Sequence, residues 1–80
     1  MATVHFSRSL REHTGGAESV TLDAPRVQEL LNMLTERFPG LAAPLEVMAV
    51  SVDGEIRQEP EFVPLSGDSE VHLVPKIPGG

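Results

Sequence analysis

One apolar stripe at helical period, and only one, constrains this chain most. Val27, Leu30, Leu31, Leu34 and Phe38 fall at offsets 0, 3, 4, 7 and 11, the spacing of one face of an α-helix. Elsewhere the apolar residues alternate or come in short runs. Val4 and Phe6 alternate with Thr3, His5 and Ser7, and Val20 and Leu22 with Ser19 and Thr21, the period of half-buried strands. A lone helix has one face to bury and needs a sheet to bury it against. The pattern therefore predicts an α+β two-layer domain.

Turn residues punctuate the strands. Thr14-Gly15-Gly16 separates the first two and makes them a hairpin. Asp23-Ala24-Pro25 is expected to open the helix, with Asp23 accepting orphan backbone N–H groups, and Pro39-Gly40 to end it. Val47–Val52 reads as a third strand, followed by the turn signal Asp53-Gly54 and a short return at Ile56-Arg57. Pro60 and Pro64 exclude a central strand between residues 58 and 64. After a turn at Gly67-Asp68, Val71, Leu73 and Val74 form the last strand, closed by Pro75. The order is β-β-α-β-β-β. Alternation alone leaves open which face of the third strand, Met48/Val50/Val52 or Val47/Ala49/Ser51, looks inward.

Composition narrows the function. The chain has 80 residues, no cysteine and a net charge of −6. Without cysteine there is no disulfide framework, thiolate zinc site, cysteine-ligated iron–sulfur cluster or cysteine nucleophile. Residues 1–40 carry five acids and four bases, net −1, and residues 41–80 carry seven acids and two bases, net −5. This balance argues against a phosphate-tracking nucleic-acid surface and for a basic partner facing the C-terminal half. No apolar run is long enough to span a bilayer, and no signal pattern opens the chain. The reading is a cytoplasmic protein that acts on neither nucleic acid nor membrane.

The side chains offer little catalytic chemistry. His5, His13 and His72 lie on different elements without a metal-ligand spacing, and read as surface or strand histidines. No serine sits in a nucleophile elbow, and Gly15-Gly16 lacks the rest of a phosphate loop. Glu55, Glu59 and Glu61 read as a solvated acidic edge. A domain this small leaves little room for a deep pocket, so the chain reads as something other than an enzyme.

The C-terminus is the remaining signal. Residues 1–75 are expected to form the domain and Lys76-Ile77-Pro78-Gly79-Gly80 a flexible tail that spans at most roughly 17 Å when extended. Gly79 and Gly80 lack Cβ atoms, so they fit a channel too narrow for side chains and leave the terminal carboxylate open to attack. A globular head with a slim, reactive end suits a carrier. Joined to AMP, the Gly80 carboxylate becomes a mixed anhydride, and a sulfur nucleophile can convert it to a thiocarboxylate.

Several segments carry a family resemblance. Leu10-Arg11-Glu12 resembles an L-R-E segment, and Arg37-Phe38-Pro39-Gly40-Leu41 a helix-ending R-Y/F-P-x-L. Val50-Ser51-Val52-Asp53-Gly54-Glu55 resembles V-x-V-N-G-E. Val71-His72-Leu73-Val74-Pro75, followed by Gly79-Gly80, resembles a final strand and tail. In this order and spacing they resemble the MoaD/ThiS sulfur-carrier family, of ubiquitin-like β-grasp fold. Residues 10–20 are also similar to CysO, a carrier used in cysteine synthesis. Ser66 stands where the family usually has aspartate, one extra residue precedes Val71, and Asp53 replaces the turn asparagine.

The resemblance implies that the first and last strands lie side by side and parallel, in a mixed sheet with one helix packed across one face. It implies that Gly80 is adenylated and sulfurated, with Lys76, Ile77, Pro78 and Gly79 inserted in a partner. It further implies a MoeB/ThiF-like adenylating enzyme that consumes ATP, no cofactor bound by the carrier itself, and a sulfur acceptor. A MoaE-like molybdopterin synthase subunit is the first expectation for that acceptor and a cysteine-synthase-like enzyme the second. Family carriers dock through the sheet face away from the helix. On that basis Val74, His72 and Phe62 are expected contacts, with Glu55, Glu59, Glu61, Asp68 and Glu70 as an acidic rim. A protein modifier and a non-covalent β-grasp binding module are the competing readings.

Overall fold

The computed structural model describes residues 1–57 and 59–75. Among the described residues five strands form one sheet: β1 (Ala2–Phe6), β2 (Ser19–Leu22), β3 (Met48–Val52), β4 (Glu55–Arg57) and β5 (Glu70–Pro75). Their spatial order is β2-β1-β5-β3-β4. β1 pairs with β5 in parallel, and the other three pairings are antiparallel. This is the mixed sheet of a β-grasp fold.

Strand parity sorts the side chains onto two faces. On one face Val4 lies beside Val71, and Val71 beside Val52. Phe6 lies beside Leu73, and Leu73 beside Val50. All six are buried. Helix α1 (Val27–Arg37) covers this face with Val27, Leu30 and Leu34, each 0% exposed. The inward face of β3 is therefore Met48/Val50/Val52. Phe38 sits just past α1 and meets Phe6 edge-on, with ring centroids 5.9 Å apart, a favoured aromatic geometry.

The start of α1 differs from the sequence expectation. The helix begins at Val27, Arg26 is its N-cap, and no side chain caps it. Asp23 and Pro25 precede the first turn. The segment after β4 supplies the missing partners. Val27 N–H donates to the Val63 carbonyl at 3.0 Å, and Leu65 N–H donates to the Pro25 carbonyl at 2.9 Å. A long-range backbone pairing thus satisfies a donor that a local cap would otherwise hold. The Arg26 guanidinium donates two 2.9 Å hydrogen bonds to Glu29. Those bonds first, then the positive charge, hold the Glu29 carboxyl below its ordinary value. The contribution of this pair is present above the ordinary carboxylate range and fades as the pH falls through the lowered value.

The chain also contains more helix than the one stripe announces. There are 3-10 helices over Arg8–His13, Pro39–Leu41 and Pro60–Phe62, and a four-residue helix α2 (Ala42–Leu45). Segments this short do not complete enough turns to show a period. Two of them still place fully buried leucines, Leu10 and Leu41. Pro39 does end α1, but it serves as the first residue of the next turn.

The Asp53-Gly54 turn joins β3 to β4 as read, with φ of +50° and +87°, the left-handed region that glycine and aspartate tolerate. Asp53 also ties the turn to β5. Its N–H donates to the Glu70 carbonyl, and its Oδ1 accepts the Glu70 N–H, both at 2.8 Å.

Two outcomes are expected from urea unfolding. Leu30→Ala should destabilise the domain by ~2–5 kcal/mol, because a fully buried side chain leaves a cavity. Asp53→Ala should cost about 1 kcal/mol, whereas Asp53→Asn, which keeps the acceptor, should stay near wild type.

Candidate functional site

The sheet face away from α1 is open, and the pairing registers order it. One row runs Ser19, His5, His72, Ser51, Ile56 across all five strands. Val74 and Ala49 form a second pair towards the C-terminal end of β5, and Thr21, Thr3 and Glu70 lie towards its start.

His5 and His72 stack, with ring centroids 4.6 Å apart and planes 14° from parallel. His5 Nε2 lies 2.9 Å from Glu70 Oε1. The two histidines stand on the first and last strands, and the parallel pairing sets them side by side. Sequence reading treated His5 as bland because His5 and His72 are far apart in the chain. The available signal was their shared outward parity on two strands that the family resemblance makes neighbours.

The expected contacts do not all come together. His72 is exposed and Val74 half-buried on the open face. Phe62 lies elsewhere. It closes the 3-10 helix Pro60–Phe62, which packs against α1 in the helix layer, and it is 68% exposed. The proline-bearing segment crosses to the helix layer because its backbone pairs with residues 25–27, so Phe62 is neither part of the open face nor core. Glu55, Glu59, Glu61, Asp68 and Glu70 are all exposed. Lys76, Ile77, Pro78, Gly79 and Gly80 lie outside the described residues.

The end of the last described strand is well defined. β5 lies between β1 and β3, and its last residue, Pro75, pairs with Met48 at the start of β3. The strand therefore delivers the chain next to the α2–β3 junction, where Val47 is 66% exposed. Among the described residues, no group of three or more histidine, aspartate or glutamate side chains could hold a metal ion, and no helix is long and apolar enough to cross a membrane.

The ThiS family model matches residues 4–80. The chain belongs to the ThiS family. This is the sulfur-carrier family that its segments resemble, and the chain is a carrier of that type. No curated protein sequence matches it significantly. Solved structures do. CysO of Amycolatopsis orientalis, in its complex with BexX, is similar at 25% identity and TM-score 0.86, with 100% of each chain covered. A subunit of the Helicobacter pylori molybdopterin-converting factor complex is similar at 24% identity and TM-score 0.75, covering 99% of this chain and 97% of that one. The small archaeal modifier protein 1 of Methanosarcina acetivorans is similar at 20% identity and TM-score 0.83, covering 99% and 95%. The last two comparisons bear on the fold.

The histidine stack yields a prediction of its own. In His72→Ala, the His5 ring resonances should move as the neighbouring ring current is lost. Stability should change by less than about 0.5 kcal/mol, since both rings lie at the surface. NMR spectra and a melting curve on one sample check both.

Proposed function

We propose that this ThiS-family chain works through the carboxyl carbon of Gly80. The Gly80 carboxylate attacks the α-phosphorus of ATP on a MoeB/ThiF-like adenylating enzyme. Pyrophosphate leaves and an acyl-adenylate forms. Hydrosulfide, or a donor at the same oxidation level, then attacks the carbonyl carbon. The C–S bond forms, the C–O bond to AMP breaks, and AMP departs with its electron pair. The product is a thiocarboxylate, whose soft anionic sulfur is passed to an acceptor enzyme. The partners supply the catalytic groups, and the carrier supplies the tail and the docking surface.

The observation that carries this reading is the family match running through Gly79-Gly80, on a chain whose last strand lies inside the sheet. The acceptor proposed first is a sulfur-metabolite synthase of the cysteine-synthase kind. The CysO-like hairpin over residues 10–20 and the 25% identity to CysO over the whole chain favour it. This reverses the order implied by the family segments alone, and a MoaE-like acceptor becomes the second reading. Docking through the open face, with Val74 and His72 in contact and Glu70 at the rim, belongs to the same proposal. So does a cytoplasmic setting.

Deleting Gly80 tests the reading. The truncated chain should lose ATP–pyrophosphate exchange with the adenylating enzyme and sulfur delivery to either acceptor. Its stability should stay within about 0.5 kcal/mol of wild type. Sulfur delivery by wild type to a cysteine-synthase-like enzyme, but not to a MoaE-like one, selects the first acceptor. Reductant-resistant lysine adducts in cells that disappear with Gly80 would assign a protein-modifier role instead. Unchanged exchange after the deletion would overturn the proposal.

A further inference from the structure

A groove of about 450 Å³ opens at the β3–β4 edge of the sheet, between the sheet and the helix layer, with Ala49 and Ile56 of the open face also bordering it. Leu31 of α1, Leu45 of α2, Met48 and Val50 of β3, and Pro60 line it. Leu31, Leu45, Met48 and Pro60 are only partly buried, so an apolar surface faces solvent. Glu46 and Glu61 stand at its margin with Arg57. Arg57 is paired with Glu55 at 3.3 Å, which leaves the margin net acidic.

The groove adjoins the end of β5. Met48, one of its walls, is the pairing partner of Pro75. Five residues beyond Pro75 reach at most roughly 17 Å, so an enzyme that works on Gly80 closes over the surface around Pro75. The chemistry of that surface specifies what the enzyme must bring: an apolar side chain to fill the groove and cationic groups to meet Glu46 and Glu61.

We propose that the groove is a second docking surface for the adenylating enzyme, which inserts an apolar anchor flanked by lysine or arginine. The inference rests on the Gly80 reading. Most of its lining belongs to the helix layer and the inward side of β3, and it shares Ala49 and Ile56 with the open sheet face. The acidic margin speeds encounter with the basic partner, and the apolar floor retains it. A partner gripping here holds the carrier beside Pro75, the last described residue.

The test uses the full chain with the ThiF-like adenylating enzyme of the same genome, followed by ATP–pyrophosphate exchange. The double variant Glu46→Lys/Glu61→Lys, at two exposed positions, should raise the KM for the carrier roughly tenfold at low salt, with kcat little changed and the difference shrinking as salt rises. Leu45→Ser should raise KM at all salt concentrations. Circular dichroism melting of each variant separates docking from folding. If wild type supports no exchange, the Gly80 reading falls and the groove proposal with it. If wild type is active and the charge-reversed variant matches its KM, the groove proposal alone is overturned. Methyl resonances of Leu31, Leu45 and Met48 that shift on dilution of the free chain would assign the groove to a second copy. Shifts of those methyls on removal of residues 76–80 would assign it to the chain's own tail. Either result overturns the proposal as well.

Discussion

The parallel pairing of β1 with β5 is the interaction on which the rest of this structure depends. It joins the start of the domain to its last described strand, with Val4 beside Val71 and Phe6 beside Leu73. A parallel pair cannot be made by a tight turn, so everything between must be folded to close it. Closing so long a loop costs conformational entropy. The buried face of Val4, Phe6, Val71 and Leu73 under Leu30 and Leu34 offsets that cost through apolar burial. One consequence is functional. The strand that leads to the C-terminus is held on both sides, by β1 and by β3. Pro75, the last described residue, is therefore anchored in the middle of the sheet and not on an edge strand.

The same pairing separates two surfaces. Inward parity gives the core that α1 covers. Outward parity brings His5 of β1 together with His72 and Glu70 of β5 on the open face, although the two strands are far apart in the chain. Around the β3–β4 edge, the helix layer leaves the groove beside Met48. This chain has a polar, histidine-bearing face on one side of Pro75 and an apolar, acid-margined groove on the other.

Much of this was legible in the residues. Val27, Leu30 and Leu34 lie on the buried face of the helix because 3.6-residue spacing sets them on one side, with Leu31 at the edge of that face. Val4 and Phe6, and Val71 and Leu73, point inward because alternation fixes parity once one face is buried. What sequence reading missed was decided by contacts between distant segments. Asp23 looks like a cap, but the backbone of Val63 takes up the Val27 N–H, so the helix starts later. Phe62 looks like a contact or a core residue, but the pairing of residues 63–65 with 25–27 carries it into the helix layer and leaves its ring in solvent. The short turns that place Leu10 and Leu41 in the core have too few residues to show any period. The histidine stack follows from register, which neither residue shows by itself.

The carboxyl carbon of Gly80 is the proposed centre of function, and the intact mass of the chain tests it most directly. After incubation with ATP, the adenylating enzyme and a sulfide donor, the mass should rise by the difference between one sulfur and one oxygen. Fragmentation should place that gain on the terminal glycine. A chain that keeps its original mass while the enzyme demonstrably adenylates another carrier, or that gains sulfur at any other position, would contradict the account.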